Sequence, residues 1–273
     1  MNKKLFFVIP IIIGIIIVSL SGFAPSKYDE SFENESFIFD AFGNEGEQFV
    51  TYDNDTRRTW TSFKVELKPG FEEVYDKIGV VKEPQNTVVI YPIFTASAYT
   101  SSGFYDYYTD TCDESCLTST IESSFLSQAS GNGFQILTLL GYDTITDIDV
   151  NNNPEILKKY DKVILLHNEY VTQNEFDAIT SHPKVIYLYP NALYGKIVYN
   201  ESEKTITLVR GHGFPEKHIA NGFDWEFDNT SMEYNQDCNG WEFYEIGNGV
   251  MLNCYPDIEM MKNAELLLWV KEL

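Results

Sequence analysis

Three short apolar runs constrain the fold of this chain more than any other feature: Thr87-Val-Val-Ile-Tyr-Pro92, Lys162-Val-Ile-Leu-Leu166 and Lys184-Val-Ile-Tyr-Leu-Tyr189. A strand with one face in water alternates apolar and polar side chains, whereas a strand covered on both faces has no reason to alternate. The runs therefore predict central strands of a parallel sheet. The segments between them read as the crossovers such a sheet needs. Residues 122–140 carry Phe125, Leu126, Phe134, Ile136, Leu137, Leu139 and Leu140 ahead of Gly141, which predicts a helix over at least the second half, ended by the glycine. A short strand is expected from Gly141-Tyr142-Asp143-Thr144 toward an acidic loop at 147–153, then a brief helix over 154–159 with proline in its first turn. Thr172 has Glu175 three residues on, the spacing of a capping box, so a helix is expected to 181. Strands alternating with helices imply an α/β fold with a doubly wound parallel sheet.

The last third changes character. Lys196-Ile-Val-Tyr, a polar Asn200-Glu-Ser-Glu-Lys and Thr205-Ile-Thr-Leu-Val read as a β-hairpin, and residues 222–254 as further short antiparallel strands. The α/β domain is thus expected over 81–273, with a β appendage from about 196 and an amphipathic helix at 258–273. Residues 25–80 read as an acidic stalk with an edge strand near 59–67, where Thr-Trp-Thr-Ser-Phe-Lys-Val-Glu-Leu alternates.

Ahead of the stalk, residues 5–24 are apolar apart from small residues and Pro10, long enough to cross a bilayer core as one helix. Lys3 and Lys4 precede the run, which predicts a single-pass anchor at 1–24 with the remainder outside the cell membrane. The alternative is a secretory signal cleaved near Ser21-Gly-Phe-Ala24, with the rest secreted. Export agrees with four cysteines, for which local disulfides Cys112–Cys116 and Cys238–Cys254 are expected because short loops close at low entropic cost. Their spacing fits no common zinc finger. Sequons at Asn34, Asn54, Asn200 and Asn229 are candidate glycosylation sites. The formal charge of -22 argues against nucleic acid and anionic lipid as partners.

Ligands of open α/β sheets sit at the carboxyl ends of the strands. Three loops are expected to converge there: Thr95 to Tyr99, His167 to Tyr170, and Asn191 to Tyr194. His167-Asn168-Glu169-Tyr170 places an imidazole, a carboxylate and a phenol together, which suits metal binding or proton transfer. An alternative is that Asn168 and Glu169 cap the next helix. The tyrosine-rich stretch 103–108, with Tyr105, Tyr107 and Tyr108, offers stacking faces or a phenolate, or else a loop packed down by Cys112 and Cys116. His212 between Gly211 and Gly213 either reaches over the sheet edge or serves a turn. The chain has no Gly-x-Ser-x-Gly elbow, phosphate-binding Gly-Lys-Ser/Thr loop, His-Glu-x-x-His helix or dinucleotide Gly-x-Gly-x-x-Gly motif.

The stretch from about Val88 to Lys196 resembles the C-terminal domain of the large subunit of N,N-dimethylformamidase, a branch of the glutamine-amidotransferase-like (flavodoxin-like) fold. The resemblance rests on Pro-x-x-Thr-x-x-Ala-Tyr ending at Tyr99, Leu-Gly-Tyr-Asp at 140–143, His-Asn-Glu-Tyr at 167–170 where relatives carry His-Asp-Glu-Tyr, and Asn-x-x-Tyr at 191–194. The aromatic segment that follows resembles part of an archaeal surface-protein family of unassigned function. The resemblance implies iron held by tyrosine phenolates and a glutamate, mapping onto Tyr99 and Glu169, with a further tyrosine drawn from Tyr105, Tyr107 and Tyr108. Amidotransferases of this fold carry a cysteine at the turn after a central strand. Here that turn is Pro190-Asn191-Ala192, which leaves a thiol mechanism without its residue.

Two functions are compatible with these observations. One is a surface binding module whose cleft, lined by Thr95, Tyr105, Tyr170, Asn191 and Tyr194, takes a small amide, a glycan or a surface-layer partner. The other is a metal-dependent amidohydrolase with catalytic His167 and Glu169 and a metal on Tyr99 and Glu169.

Overall fold

The computed structural model describes residues 37–43, 47–52, 55–60, 63–122, 130–227, 235 and 238–273. The expected anchor at 1–24, the sequons at Asn34, Asn54 and Asn229, and the first part of the helix expected at 122–140 lie outside these residues. Among the described residues no helix is long and apolar enough to cross a membrane.

The chain begins with strands β1 (Phe39–Gly43), β2 (Glu47–Tyr52), β3 (Asp55–Trp60) and β4 (Phe63–Leu67), followed by helix α1 (Glu72–Ile78). β1 pairs antiparallel with β4, and β2 with β3. The single strand expected over 59–67 is therefore two strands, because Trp60 closes a hairpin with β2 while Phe63 begins the pairing with β1. Within this segment Phe37, Ile38, Phe39, Ala41, Val65 and Ile78 are buried in the same core as the C-terminal helices.

Next come β5 (Thr87–Tyr91), α2 (Ile93–Ala98), α3 (Phe104–Tyr108), β6 (Thr118–Thr120), α4 (Gly131–Leu139) and β7 (Asp143–Thr146). α5 (Asp147–Asn152), a 3-10 turn at Pro154–Lys159, β8 (Lys162–Leu165), β9 (Tyr170–Thr172), α6 (Gln173–Ser181) and β10 (Val185–Tyr187) follow. The last elements are β11 (Gly195–Asn200), β12 (Thr205–Arg210), β13 (Phe243–Ile246), β14 (Gly249–Leu252), α7 (Asp257–Lys262) and α8 (Ala264–Glu272).

The central sheet runs β13-β14-β10-β8-β5-β7, and every neighbouring pair is parallel except β13 with β14. Counted along the chain, its parallel strands stand in the order 2-1-3-4-5. The three apolar runs expected to be central occupy its middle. Their side chains alternate between two cores, as the pleat requires. Val89, Ile164 and Ile186 face α1, α4, α7 and α8, while Val88, Ile90, Val163, Leu165, Val185 and Tyr187 face α5 and α6. Each such aliphatic side chain contributes about 1.5–3 kcal/mol of burial, so covering both faces drives the architecture. The capping box at Thr172 and Glu175 is formed as expected.

Three expectations are corrected. The acidic stretch at 147–153 is the helix α5, because Thr146 and Asp149 form a second capping box at its start. The C-terminal helix is broken in two at Asn263, whose side chain accepts from Glu265 and Leu266 N–H and caps the second part. Residues 243–252 are not an appendage: β14 lies parallel beside β10 and extends the central sheet. The hairpin at 195–210 does form, in a separate sheet of order β6-β12-β11-β9. Both disulfides, Cys112–Cys116 and Cys238–Cys254, are present.

Candidate functional site

The strand order reverses at β5, since β7 lies on one side of it and β8 on the other. At the carboxyl ends of β5 and β8 the chain leaves the sheet in two connections that are both locally enforced. After β5, Asp147 accepts Phe94 N–H at 2.6 Å, which fixes the start of α2 and thereby the position of Tyr99 just past its end. After β8, Leu166 N–H donates to Asn168 Oδ1 and Asn168 N–H to Leu166 O, closing a tight turn. Tyr194 and Gly195 N–H both donate to Glu169 O at 2.8 Å, so His167, Asn168 and Glu169 bridge the two sheets on a pinned backbone. Gly195 is required there, because a Cβ would stand 2.5 Å from the Tyr170 ring.

The three loops expected to converge do so around Glu169, which is 0% exposed. Tyr99 Oη donates to Glu169 Oε2 at 2.7 Å, and His167 Nε2 lies 3.4 Å from the same oxygen. Asn191 Nδ2 is 3.0 Å from His167 Nε2. Thr95 Oγ1 accepts Tyr170 N–H at 3.1 Å. The other oxygen, Glu169 Oε1, makes no hydrogen bond and has His212 Nδ1 at 3.8 Å. His212 Nδ1 shares a hydrogen bond with the Tyr170 hydroxyl, and Tyr194 meets the imidazole edge-on at 5.6 Å. Tyr105 stacks on Tyr99 at 5.7 Å and Tyr108 on His212 at 4.0 Å, whereas Tyr107 turns away to Phe214. The stretch read as a loop at 95–99 lies largely in the short helix α2, and the stretch 103–108, read as a stacking surface or a packed loop, forms the short helix α3. Glu169 does not cap α6; Thr172 does.

The charge state of the cluster follows from its partners. Burial alone would raise the Glu169 carboxyl, but the His167 hydrogen bond, the His212 and His167 charges and the Tyr99 hydroxyl outweigh it, and the net shift is downward. Burial pushes His212 down despite the pull of Glu169. Burial first and the Glu169 charge second push the Tyr99 phenol well up. At neutral pH this is a buried carboxylate held by a neutral phenol, with His212 uncharged.

His212 was legible only as a glycine-flanked histidine. Three successive left-handed residues, Gly211, His212 and Gly213, turn it inward over the cluster. Sequence reasoning missed the support behind His167. Its N–H donates to Ser130 Oγ at 2.9 Å, and its ring stacks on Tyr189 at 5.0 Å. Tyr189 Oη donates to Asp257 Oδ1 at 2.8 Å, and burial pushes that carboxyl up to about 6. A tyrosine closing an otherwise aliphatic strand was the available signal for Tyr189; Asp257 had none. Of the site expectations on cysteine and glycan positions, Asn200 is exposed at the end of β11 ahead of the hairpin turn, and the cysteines lie in their disulfides.

Among the described residues no three His, Cys, Asp or Glu side chains gather into a metal-binding group. No protein-family model matches the chain, and no curated protein is significantly similar to it.

Proposed function

We propose that the chain is a single-pass surface protein whose exported domain has a glutamine-amidotransferase-like fold and binds a small ligand at Glu169. The observation that carries this reading is one fully buried carboxyl group with an oxygen, Oε1, that accepts no hydrogen bond among the described residues, placed at the reversal of strand order. An acceptor left open in a buried, aromatic setting calls for a cation or an N–H donor as its partner. Small amides fit this chemistry; a glycan or a surface-layer protein is the larger partner to be compared. The apolar run at 5–24 behind Lys3 and Lys4 supports the tether, and the disulfides support an oxidising compartment.

The test uses full-length protein in detergent and measures Tm with formamide, N,N-dimethylformamide, ammonium, ferrous or ferric iron, and zinc, each added alone. At least one raises Tm in the native protein and fails to do so in Glu169→Gln, because a ligand of the folded state stabilises by mass action. No shift with any probe, or equal shifts in both proteins, overturns the reading. Protease shaving of intact cells tests the tether: a membrane-bound N-terminal stub is expected, and full-length protein free in the medium refutes it.

A second reading, metal-dependent amide hydrolysis, is favoured by the 2.7 Å approach of Tyr99 Oη to Glu169 with two imidazoles beside them. The residues fit iron, since the donors are oxygen-rich and Glu169 Oε1 has no hydrogen bond to surrender. Tyr99 and Glu169 would hold it, with Tyr105 and Tyr108 as the nearby phenols. Bound there, iron would supply Lewis-acid polarisation of an amide carbonyl. His167, oriented by Asn191 and Tyr189, would hold or move the proton at its Nε2. Purified protein carrying iron and a visible phenolate band that Glu169→Ala abolishes would establish it; metal-free protein that takes up no iron would exclude it.

A further inference from the structure

We propose that residues 103–116, helix α3 with the disulfide-closed loop behind it, form a lid over the Glu169 cluster, latched to the His212 loop by Asp110 and Lys217. The proposal rests on the reading of that cluster as a ligand site, because Glu169 and His212 are almost fully buried and a ligand needs a way in.

The covering surface is one face of α3. Tyr105 and Tyr108 lie three residues apart, so both point the same way. Tyr108 lies flat on His212, and Tyr105 spans from Tyr99 to within 6.5 Å of the same imidazole. Tyr108 is 40% exposed while His212 is 1% exposed. Displacing this one face would bring His212 to solvent and uncover more of the half-buried Tyr99 ring.

The lid has the parts that a rigid motion needs. Thr111 and Cys112 N–H both donate to Asp106 O, at 2.9 and 3.1 Å, and Thr109 Oγ1 to Tyr105 O at 3.0 Å, so the helix and the Cys112–Cys116 loop hold one shape. Ser102 and Asp110 flank α3 with φ of 62° and 59°, left-handed conformations that a residue with a Cβ adopts at a cost. Ser102, just ahead of the segment held in one shape, is therefore where the backbone gains by changing. The root is firm: Phe104 is buried edge-on to Tyr170 at 5.1 Å, and a Cβ on Gly103 would stand 2.2 Å from Ala98 O.

The latch is weak by construction. Lys217 Nζ contacts Asp110 Oδ1 and Oδ2 at 2.6 and 2.8 Å, but both side chains are largely in water, where ion pairs contribute little and salt screens them. Tyr107 against Phe214 at 5.9 Å is the apolar half of the same closure.

Carbethoxylation by diethylpyrocarbonate, followed residue by residue through mass spectrometry of peptides, tests the lid. The chain has four histidines. His218 is exposed and sets the fast limit. His182 is buried far from the site with its ring nitrogens on Lys184 and Tyr160 carbonyls, and reports global loosening. In Lys217→Ala, and more strongly in Tyr108→Ala, His212 should react several-fold faster while His182 keeps its native rate. Raising salt on the native protein should move His212 toward the Lys217→Ala rate. An unchanged His212 rate in both variants overturns the lid, and so does His212 rising only in step with His182. If Tyr108→Ala loosens the whole fold, His182 shows it and the exposed Lys217→Ala carries the test. The labelling needs no ligand, so a failed lid and a failed ligand reading are distinguishable.

Discussion

Glu169 and Glu175 stand six residues apart, both 0% exposed, and their surroundings shift their carboxyls in opposite directions. Around Glu169 the hydrogen bonds and charges of His167, His212 and Tyr99 overcome burial, and the carboxylate stays ionised. Around Glu175 burial is dominant and the neighbouring Asp147 adds to it, so its carboxyl is held well above the ordinary range. Asp147 is likewise pushed up by burial, although its oxygens accept Phe94 and Ile148 N–H. No imidazole or ammonium figures among the groups acting on that second pair. Depth of burial therefore does not decide which way a carboxyl shifts here; the imidazoles and O–H donors beside it do. Glu169 sits at the proposed ligand site, and of the second pair Asp147 fixes the start of the helix that leads to Tyr99.

Asp147→Ala should have the largest effect, since it strips the acceptor from two buried N–H groups; a loss of about 2–3 kcal/mol is expected in urea unfolding at pH 7. Glu169→Gln should cost about 1.5 kcal/mol at the same pH, because a charged hydrogen-bond acceptor becomes neutral among its donors. Tyr99→Phe should cost about 1 kcal/mol and raise the Glu169 carboxyl, read by its carbon chemical shift against pH. Glu175→Gln should stay within about 0.5 kcal/mol of the native protein below pH 4.5 and become the more stable of the two as pH rises to 7, because glutamine has no proton to lose on unfolding. Equal costs for the two glutamine variants would erase the contrast.

The pH dependence sharpens the same contrast. A raised carboxyl contributes stability that is complete below its ordinary value and lost as pH climbs through the raised one; for Glu175 that loss begins above 4.5. A lowered carboxyl does the reverse, so the contribution of Glu169 is complete above 4.5 and lost as pH falls through its lower value. Glu175→Gln should accordingly flatten the decline of stability on the alkaline side of 4.5, and Glu169→Gln the decline on the acid side.

The alternation of buried runs with helices was enough to place β5, β8 and β10 in the centre of a parallel sheet, because continuous apolarity has one cause in a strand. The convergence of Tyr99, Glu169 and Asn191 was legible for the same reason: each follows such a run. Residues 243–252 were harder, since Phe243-Tyr-Glu-Ile and Gly249-Val-Met-Leu read as a plain hairpin and only the third dimension shows β14 beside β10. α5 was hidden by its acidity, although Thr146 and Asp149 spell a capping box. Asp257 and Ser130 reach His167 from distant parts of the chain through contacts that no local pattern encodes.

The place of β14 has a consequence for the order in which the molecule can be completed. Until residues 249–252 arrive, β10 is an edge strand, presenting unpaired amides and carbonyls beside Val185, Ile186 and Tyr187. Ile38 N–H also waits for Met261 O, so the first described strand cannot settle before α7 exists. Pairings between segments so far apart in the chain form late and slowly. A nascent chain therefore passes through a state with an open apolar edge, and substitutions in 249–261 should lower the yield of folded protein before they touch the chemistry at Glu169.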